Sequence, residues 1–166
     1  MDTHSLDKAL LECGHKYVDA LEHLGMKPEC AFWAYDEELE QFFLVLITSM
    51  FDYAGPLKLA EKLFKAYNSH GLPAEIDPFQ VRLHSPKQTI YRNIAPLLTQ
   101  RITGADFALE NPHVNIPESL LSQPIAIRSD GLYVHPDWIY RFAPVKRNEV
   151  GRQWNKFVTR VDSLAA

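Results

Sequence analysis

The sequence has few cysteines and no long apolar run, and each absence excludes a class of protein. Its two cysteines, Cys13 and Cys30, are too few for a disulfide framework. A reducing cytoplasm is therefore the expected location. No apolar run approaches the roughly 20 residues of a membrane-spanning helix, and residues 1–5 lack the basic start and apolar middle of a signal peptide. The sequence predicts no membrane association.

Motifs of the common enzyme classes are also absent. The chain contains no Gly-x-Ser-x-Gly elbow, no phosphate-binding glycine loop, no dinucleotide fingerprint and no Cys-x-x-Cys pair. Each of these motifs positions a nucleophile, a phosphate or a metal, so no local pattern indicates those chemistries. No cofactor is expected, and the sequence leaves enzymatic activity undecided while favouring a non-enzymatic protein.

The charge of the chain is small but unevenly distributed. The net charge is −4. Residues 1–40 hold 10 acidic and 3 basic residues, giving −7, whereas residues 125–166 hold 4 and 7, giving +3. The acidic head and the basic tail either meet within one molecule, meet between subunits, or are separate solvated faces. A nucleic-acid partner is not expected, because the acidic chain as a whole opposes the approach of phosphate.

The densest apolar region predicts a β-hairpin. Residues 30–35 and 40–48 are rich in aromatic and branched side chains, which favour strands, and the acids at 36–38 predict a polar turn between them. The second run is apolar on both sides of the pleat, with Leu44 on one side and Val45 on the other. We therefore predict a central strand that is covered on both faces.

Apolar spacing and turn residues locate the other elements. The predicted helices are 5–24, a helix that begins at Gly55-Pro56 and ends at Gly71, a helix from 85 to 102 that Pro96 kinks or splits, and 148–164. The predicted strands are 79–84, with Phe79, Val81 and Leu83 facing inward, a hairpin of 125–128 and 132–135, and an edge strand at 138–142. Residues 104–123 are predicted to be irregular.

These elements predict an α+β fold in a single domain over residues 1–166. Its sheet is expected to be mainly antiparallel, with four to five strands and helices packed on it. One face of the helix that follows Pro56 is apolar and should cover one side of the hairpin; its members are Leu57, Ala60, Leu63, Phe64 and Tyr67. The helix at 5–24 is the candidate for the opposite side.

One candidate metal site lies on the first helix. His15, Asp19 and His23 are four residues apart and share a helix face, and imidazole with carboxylate can bind zinc. The same residues lie among Glu12 and Lys16 on the polar side of the helix, so a solvated face is the favoured interpretation. Because zinc-helix signatures are absent, we predict no bound metal.

A second candidate site joins Arg82, His84 and Lys87. Arg82 and His84 share the polar side of one predicted strand, and Lys87 follows just beyond it. These three groups can hold an anion near the helix start that Ser85 caps. The alternative is an exposed strand face on which Asp77 pairs with Arg82.

Aromatic and cysteine residues complete the candidates. Trp33 and Tyr35 share one face of the first strand and would anchor a partner if that strand lay at an edge. The alternative is that they belong to the core. Cys13 and Cys30 are candidate nucleophiles, but Cys13 lies on the apolar face of the first helix, where a thiol behaves as a small hydrophobe. No neighbour in sequence is placed to lower the pKa of Cys30.

The order of these motifs resembles a group of small uncharacterised bacterial proteins. The resemblance is carried by Phe32-Trp33-Ala34-Tyr35, the strand at 44–48 and the following Gly55-Pro56-Leu57, and it covers about residues 10–70. In those proteins a helix precedes an aromatic hairpin and a Gly-Pro-Leu helix start. The resemblance implies a bacterial or mobile-element origin and carries no activity.

Two functions remain open on this basis. The first is a non-enzymatic binding or interaction protein, for example an accessory factor that docks on another protein or on a second copy of itself. The second is a small hydrolase or nuclease that uses the Arg82/His84 surface or a histidine-based metal site. A docking protein needs an apolar patch with a polar rim, whereas an enzyme needs several polar groups that line one pocket.

Overall fold

The computed structural model describes residues 5–99, 104–121 and 126–164. Within these ranges the chain forms six α-helices and six strands. The helices are α1 Lys8–His23, α2 Met50–Ala54, α3 Pro56–Asn68, α4 Thr89–Thr99, α5 Gly104–Glu110 and α6 Val150–Leu164. The strands are β1 Cys30–Asp36, β2 Gln41–Ile47, β3 Val81–His84, β4 Ile127–Ser129, β5 Leu132–Val134 and β6 Ile139–Phe142. The α+β prediction is confirmed, with six strands described instead of four or five.

The predicted hairpin is confirmed. β1 and β2 pair antiparallel along their whole length, from Cys30 opposite Ile47 to Asp36 opposite Gln41. The Asp36 carboxylate accepts hydrogen bonds from the backbone N–H groups of Glu38 and Leu39, at 3.0 and 2.9 Å. This bonding closes the acidic turn, where short polar side chains satisfy the backbone.

The hairpin lies at the centre of one mixed sheet. The strand order is β3-β2-β1-β5-β4, and β6 also pairs with β1. All of these pairings are antiparallel except β2–β3, which is parallel. Parallel pairing needs a long crossover, and α2 and α3 lie within the connection between these two strands. β1 has hydrogen-bonded neighbours on both sides and is not an edge strand.

Side chains alternate between two apolar layers, so the predicted burial of both faces is confirmed. Ala31, Trp33, Leu44 and Leu46 pack with buried residues of α1, α3 and α6. Cys30, Phe32, Val45 and Ile47 pack on the other face with Ile90 and Ile94 of α4. The prediction that the first helix and α3 cover opposite faces is wrong, because α4 takes the second face.

Three local predictions need correction. Phe79 is 81% exposed, because Pro78–Gln80 forms a 3₁₀ turn capped by Asp77 and the strand begins only at Val81. α4 is not split and continues past Pro96 to Thr99. Part of the segment predicted to be irregular, residues 104–123, is helical as α5. The predicted helix end at 102 and the predicted strand start at 125 lie outside the described residues.

Helix α1 packs against the sheet through a glycine. The indole N–H of Trp33 donates to Tyr140 Oη at 2.8 Å, and Tyr140 Oη donates to the Leu11 carbonyl of α1. A methyl group at Gly14 would overlap with the Tyr140 hydroxyl and the Trp33 indole nitrogen. The Trp33–Tyr140 pair, which joins β1 and β6 to α1, therefore leaves no room for a side chain at position 14. No described helix is both long and apolar enough to cross a membrane.

Candidate functional site

The structure brings Arg82, His84 and Lys87 together in one cavity of about 380 Å³. In the parallel register, Arg82 lies opposite Val45 and His84 opposite Ile47, which places both side chains on the α4 side of the sheet. The turn after β3 then carries Lys87 to the same cavity. The remaining lining residues are Gln88, Thr89, Ile90, Asp130 and Leu132.

Arg82 is held by a carboxylate and an aromatic ring. Its Nη2 donates to Asp36 Oδ2 at 2.7 Å, and its guanidinium carbon lies 3.7 Å from the ring centroid of Phe43. Backbone N–H donation from Leu39 and the pairing with Arg82 lower the pKa of Asp36. Asp77, the sequence-based candidate for pairing with Arg82, instead accepts from the backbone N–H of Phe79. The pairing therefore fixes the guanidinium across β2.

His84 has one bonded and one unbonded ring nitrogen. Its Nδ1 lies 2.7 Å from Gln88 Oε1, and the same oxygen accepts from the backbone N–H of Ser85 at 3.2 Å. Because Gln88 presents an acceptor oxygen, Nδ1 carries the proton. His84 Nε2 is buried and has no hydrogen-bond partner. Burial lowers the pKa of His84, and the Arg82 charge lowers it further, although the bond to Gln88 acts in the opposite direction.

The turn that carries Lys87 is fixed by side-chain bonds. Gln88 Oε1 accepts from the backbone N–H of Ser85, as the capping pattern in the sequence predicts. Ser85 Oγ accepts from the backbone N–H of Lys87 at 3.1 Å and donates to Asp52 Oδ2 at 2.5 Å. These bonds hold the turn between β3 and α4, which forms one wall of the cavity.

A second candidate surface lies on the outer side of α3. We define the α3 patch as Leu57, Ala60, Phe64 and Phe79. Leu57 is 71% exposed and Phe79 is 81% exposed, and the rings of Phe64 and Phe79 meet edge to face at 5.2 Å. Leu57, Ala60 and Phe64 line a shallow groove of about 510 Å³. Its polar rim consists of Glu61, Lys65, Asn68 and Ser69.

Sequence reasoning missed this surface because it assigned these residues to the core. The helix instead buries Leu59, Leu63 and Ala66 against the sheet. The sequence does contain a signal for this surface. Apolar residues of α3 lie on more than one side of the helix, whereas a helix that packs on one side needs only one apolar stripe.

The predicted aromatic anchors are placed differently from each other. Trp33 is fully buried in the core layer that α1, α3 and α6 cover. Tyr35 is half-buried, and its ring meets that of Phe42 at 5.0 Å. The condition for their exposure, an edge position for β1, is not met.

The first-helix histidines and the cysteines do not form a site in the described part of the chain. His15 Nε2 lies 3.7 Å from Asp19 Oδ2, with both side chains mostly exposed. Within residues 5–99, 104–121 and 126–164, no three His, Cys, Asp or Glu side chains are grouped to hold a metal. Cys30 is buried, and burial raises the pKa of its thiol to about 12, which keeps it protonated at neutral pH.

A buried carboxylate lies at the start of β1. Glu29 is 5% exposed, and its Oε1 accepts from the backbone N–H and the hydroxyl of Ser49. Burial raises the pKa of Glu29, the bonds from Ser49 lower it, and the nearby charge of Asp52 raises it again. The net direction is upward, so the ionised form is disfavoured in the folded state.

Glu29→Gln is therefore expected to gain stability relative to wild type as the pH rises. A raised folded pKa contributes stability below the unfolded pKa, and that contribution is lost as the pH rises through the folded pKa. Glutamine keeps the acceptor oxygen for Ser49 and removes the charge. Urea unfolding at acidic and neutral pH measures the difference, with the exposed Glu75→Gln as the control. An equal difference at both pH values would contradict the buried-charge account.

Comparisons with known proteins supply no functional information about this chain. No protein-family model matches the sequence. No curated protein matches it, and no solved structure matches the fold. No residue role can be transferred from a relative, so the function has to be inferred from the cavity and from the α3 patch.

Proposed function

We propose that this protein is a non-enzymatic binding protein that docks through the α3 patch, and that the occupant of the patch is a second copy of the same chain. The observation that carries the proposal is the exposure of Leu57 and Phe79, 71% and 81%. Both lie beside Phe64, within a charged and polar rim. A contiguous apolar patch with such a rim is typical of a docking surface.

The α3 patch is complementary to itself. Closed two-fold dimers are the commonest oligomers, and each uses the same patch twice. An antiparallel crossing of two α3 helices, with its two-fold axis near residue 62, brings the small Ala60 of one copy towards the large Phe64 of the other. Lys65 is already paired with Asp162 of its own chain at 2.8 Å, so charge adds little to this contact. Size complementarity therefore favours self-pairing.

Ion pairs within the chain reduce the electrostatic part of such an assembly. Arg141 of the basic tail pairs with Glu22 of the acidic head. Arg128 pairs with Glu37 at 2.8 Å. Because these head and tail charges meet within one molecule, apolar burial is expected to supply most of the dimer affinity. Exposed charge pairs add little.

Replacing the apolar side chains of the patch is expected to dissociate the dimer. The double variant Leu57→Ser/Phe79→Ser removes two exposed side chains from each copy and should weaken dimerisation by more than about tenfold, because burying one such side chain contributes about 1.5–3 kcal/mol. Light scattering at tens of micromolar measures the mass. Both side chains are exposed in the monomer, so folding should be kept.

Leu39→Ser is the matched control, because Leu39 is 55% exposed, lies in the hairpin turn and does not line the groove of the α3 patch. It should leave the mass unchanged. Equal masses for the wild type and the double variant would reject the α3 patch as the docking surface.

The alternative function is a small hydrolase or nuclease that uses the cavity of Arg82, His84 and Lys87. It is favoured by the convergence of these side chains and by the unprotonated Nε2 of His84, which has the form of a general base. The burial of Nε2 and the pairing of Arg82 with Asp36 count against it. Cleavage of a chromogenic phosphodiester by the wild type, and not by Lys87→Gln, would favour the alternative.

A further inference from the structure

We propose that the cavity of Arg82, His84 and Lys87 binds a protonated oxyanion, either inorganic phosphate as its monoanion or a phosphate monoester that keeps one proton. This inference is independent of docking through the α3 patch. The cavity volume of about 380 Å³ lies within the range of small-molecule sites. It leaves room for a phosphoryl group that carries a small substituent.

Two cationic side chains supply donors for the oxyanion. Lys87 is exposed at the cavity rim, and its ammonium has three N–H donors. Arg82 has five N–H donors, and its Nη2 is the one bonded to Asp36. The Asp36 pairing and the Phe43 ring fix the guanidinium plane. The remaining donors of Arg82 are therefore held in place beside the cavity.

Two acceptors in the same cavity distinguish a protonated oxyanion from a fully deprotonated one. His84 donates from Nδ1 to Gln88, which leaves Nε2 as a buried lone pair without a partner. Asp130 adds a carboxylate. Nε2 needs a donor, because an unpaired buried acceptor is costly, whereas Asp130 is exposed. The His84 ring lines the cavity, so a phosphate hydroxyl can donate to the Asp130 carboxylate and, once the ring turns to uncover Nε2, to His84.

Phosphate and sulfate provide the discriminating pair of probes. Their sizes are similar, but sulfate carries no proton near neutral pH, whereas a phosphate monoester has a second pKa of about 6. Sulfate therefore accepts hydrogen bonds from Lys87 and Arg82 but cannot donate one to His84 or Asp130. The Asp130 carboxylate also repels it. Burial lowers the pKa of His84, which agrees with a neutral imidazole whose Nε2 is an acceptor.

The experiment is calorimetric titration of the full chain at about pH 6 with inorganic phosphate, methyl phosphate and sulfate. We expect at least one of the phosphates to bind about tenfold or more tightly than sulfate, as expected for one hydrogen bond to a charged group. Tighter binding of methyl phosphate assigns the site to a phosphoryl group of a larger molecule, and tighter binding of inorganic phosphate assigns it to the free ion. The ¹⁵N signal of His84 Nε2 should shift with phosphate.

Two surface variants identify the cavity as the binding site. Lys87→Gln should weaken phosphate binding about tenfold or more, whereas the exposed Lys27→Gln should leave it unchanged. Asp130→Asn should reduce the preference over sulfate, because asparagine can donate. Asparagine also tolerates the positive φ of 52° at this turn position. Equal binding of phosphate and sulfate, no binding of any probe, or an unchanged affinity in Lys87→Gln would overturn the proposal.

Discussion

Leu46→Ala is expected to lower the free energy of unfolding by about 2–5 kcal/mol. Leu46 is fully buried and lies at the centre of the sheet, where β2 pairs with β1 on one side and with β3 on the other. Its side chain points into the layer formed by α1, α3 and α6. Truncation leaves a cavity that three helices and two strands cannot all move to fill. Urea denaturation monitored by circular dichroism measures the loss.

Leu44→Ala should give a loss of the same size, since Leu44 is also fully buried on the same face. Leu39→Ala is the control, because Leu39 is 55% exposed in the hairpin turn. It should change the free energy of unfolding by no more than about 0.5 kcal/mol. A loss well under about 1 kcal/mol at both core positions would contradict the placement of the sheet.

Gly14→Ala is expected to destabilise the protein by about 1–3 kcal/mol, the usual cost of overpacking. The helix propensity of alanine alone predicts the opposite, a gain of about 1 kcal/mol. The added methyl group would overlap with the hydroxyl of Tyr140 and the indole nitrogen of Trp33. Those two groups hydrogen-bond to each other at 2.8 Å, and Tyr140 also bonds to the Leu11 carbonyl. Moving either group would leave a buried donor without its partner.

Thermal and urea unfolding show whether Gly14→Ala lowers or raises the stability of the protein. Glu12→Ala is the control on the same helix, because Glu12 is exposed and the change there tests helix propensity without packing. A Gly14→Ala variant as stable as the wild type, or more stable, would show that α1 does not approach the Trp33–Tyr140 pair closely.

The sequence predicts the hairpin well because its signals are local. The acids at 36–38 interrupt two branched and aromatic runs, and this pattern determines both the strands and the turn. The burial of β2 on both faces also follows from its unbroken apolar run. The sequence does not determine which side of α3 faces the sheet, because Leu57, Leu59 and Ala60 place apolar side chains on more than one side of the helix. Only packing against the sheet determines that Leu59 is buried and Leu57 is exposed.

Contacts distant in sequence account for the other differences. The parallel pairing of β3 with β2 depends on a crossover that no local motif encodes. The exposure of Phe79 depends on the 3₁₀ turn that Asp77 caps. The Ser-Pro-x-Gln pattern predicts a helix start at 85, but these residues form a turn and α4 begins only at Thr89.

The same limit applies to the cavity. Arg82, His84 and Lys87 lie within six residues, so their proximity could be predicted from strand alternation. Asp36 comes from the end of β1 and Asp130 from the turn between β4 and β5, so their contribution is a tertiary effect. The hydrogen-bond state of His84 likewise depends on the orientation of Gln88.

Sedimentation equilibrium of the wild-type protein at low and high salt tests the docking proposal most directly. The acidic head and the basic tail pair within the chain, and exposed charges are screened beyond about 8 Å at physiological ionic strength. We therefore expect a homodimer at tens of micromolar in both salt conditions, with little change in affinity. A monomer in both conditions would contradict self-association, and a dimer that dissociates at high salt would contradict docking through the apolar α3 patch.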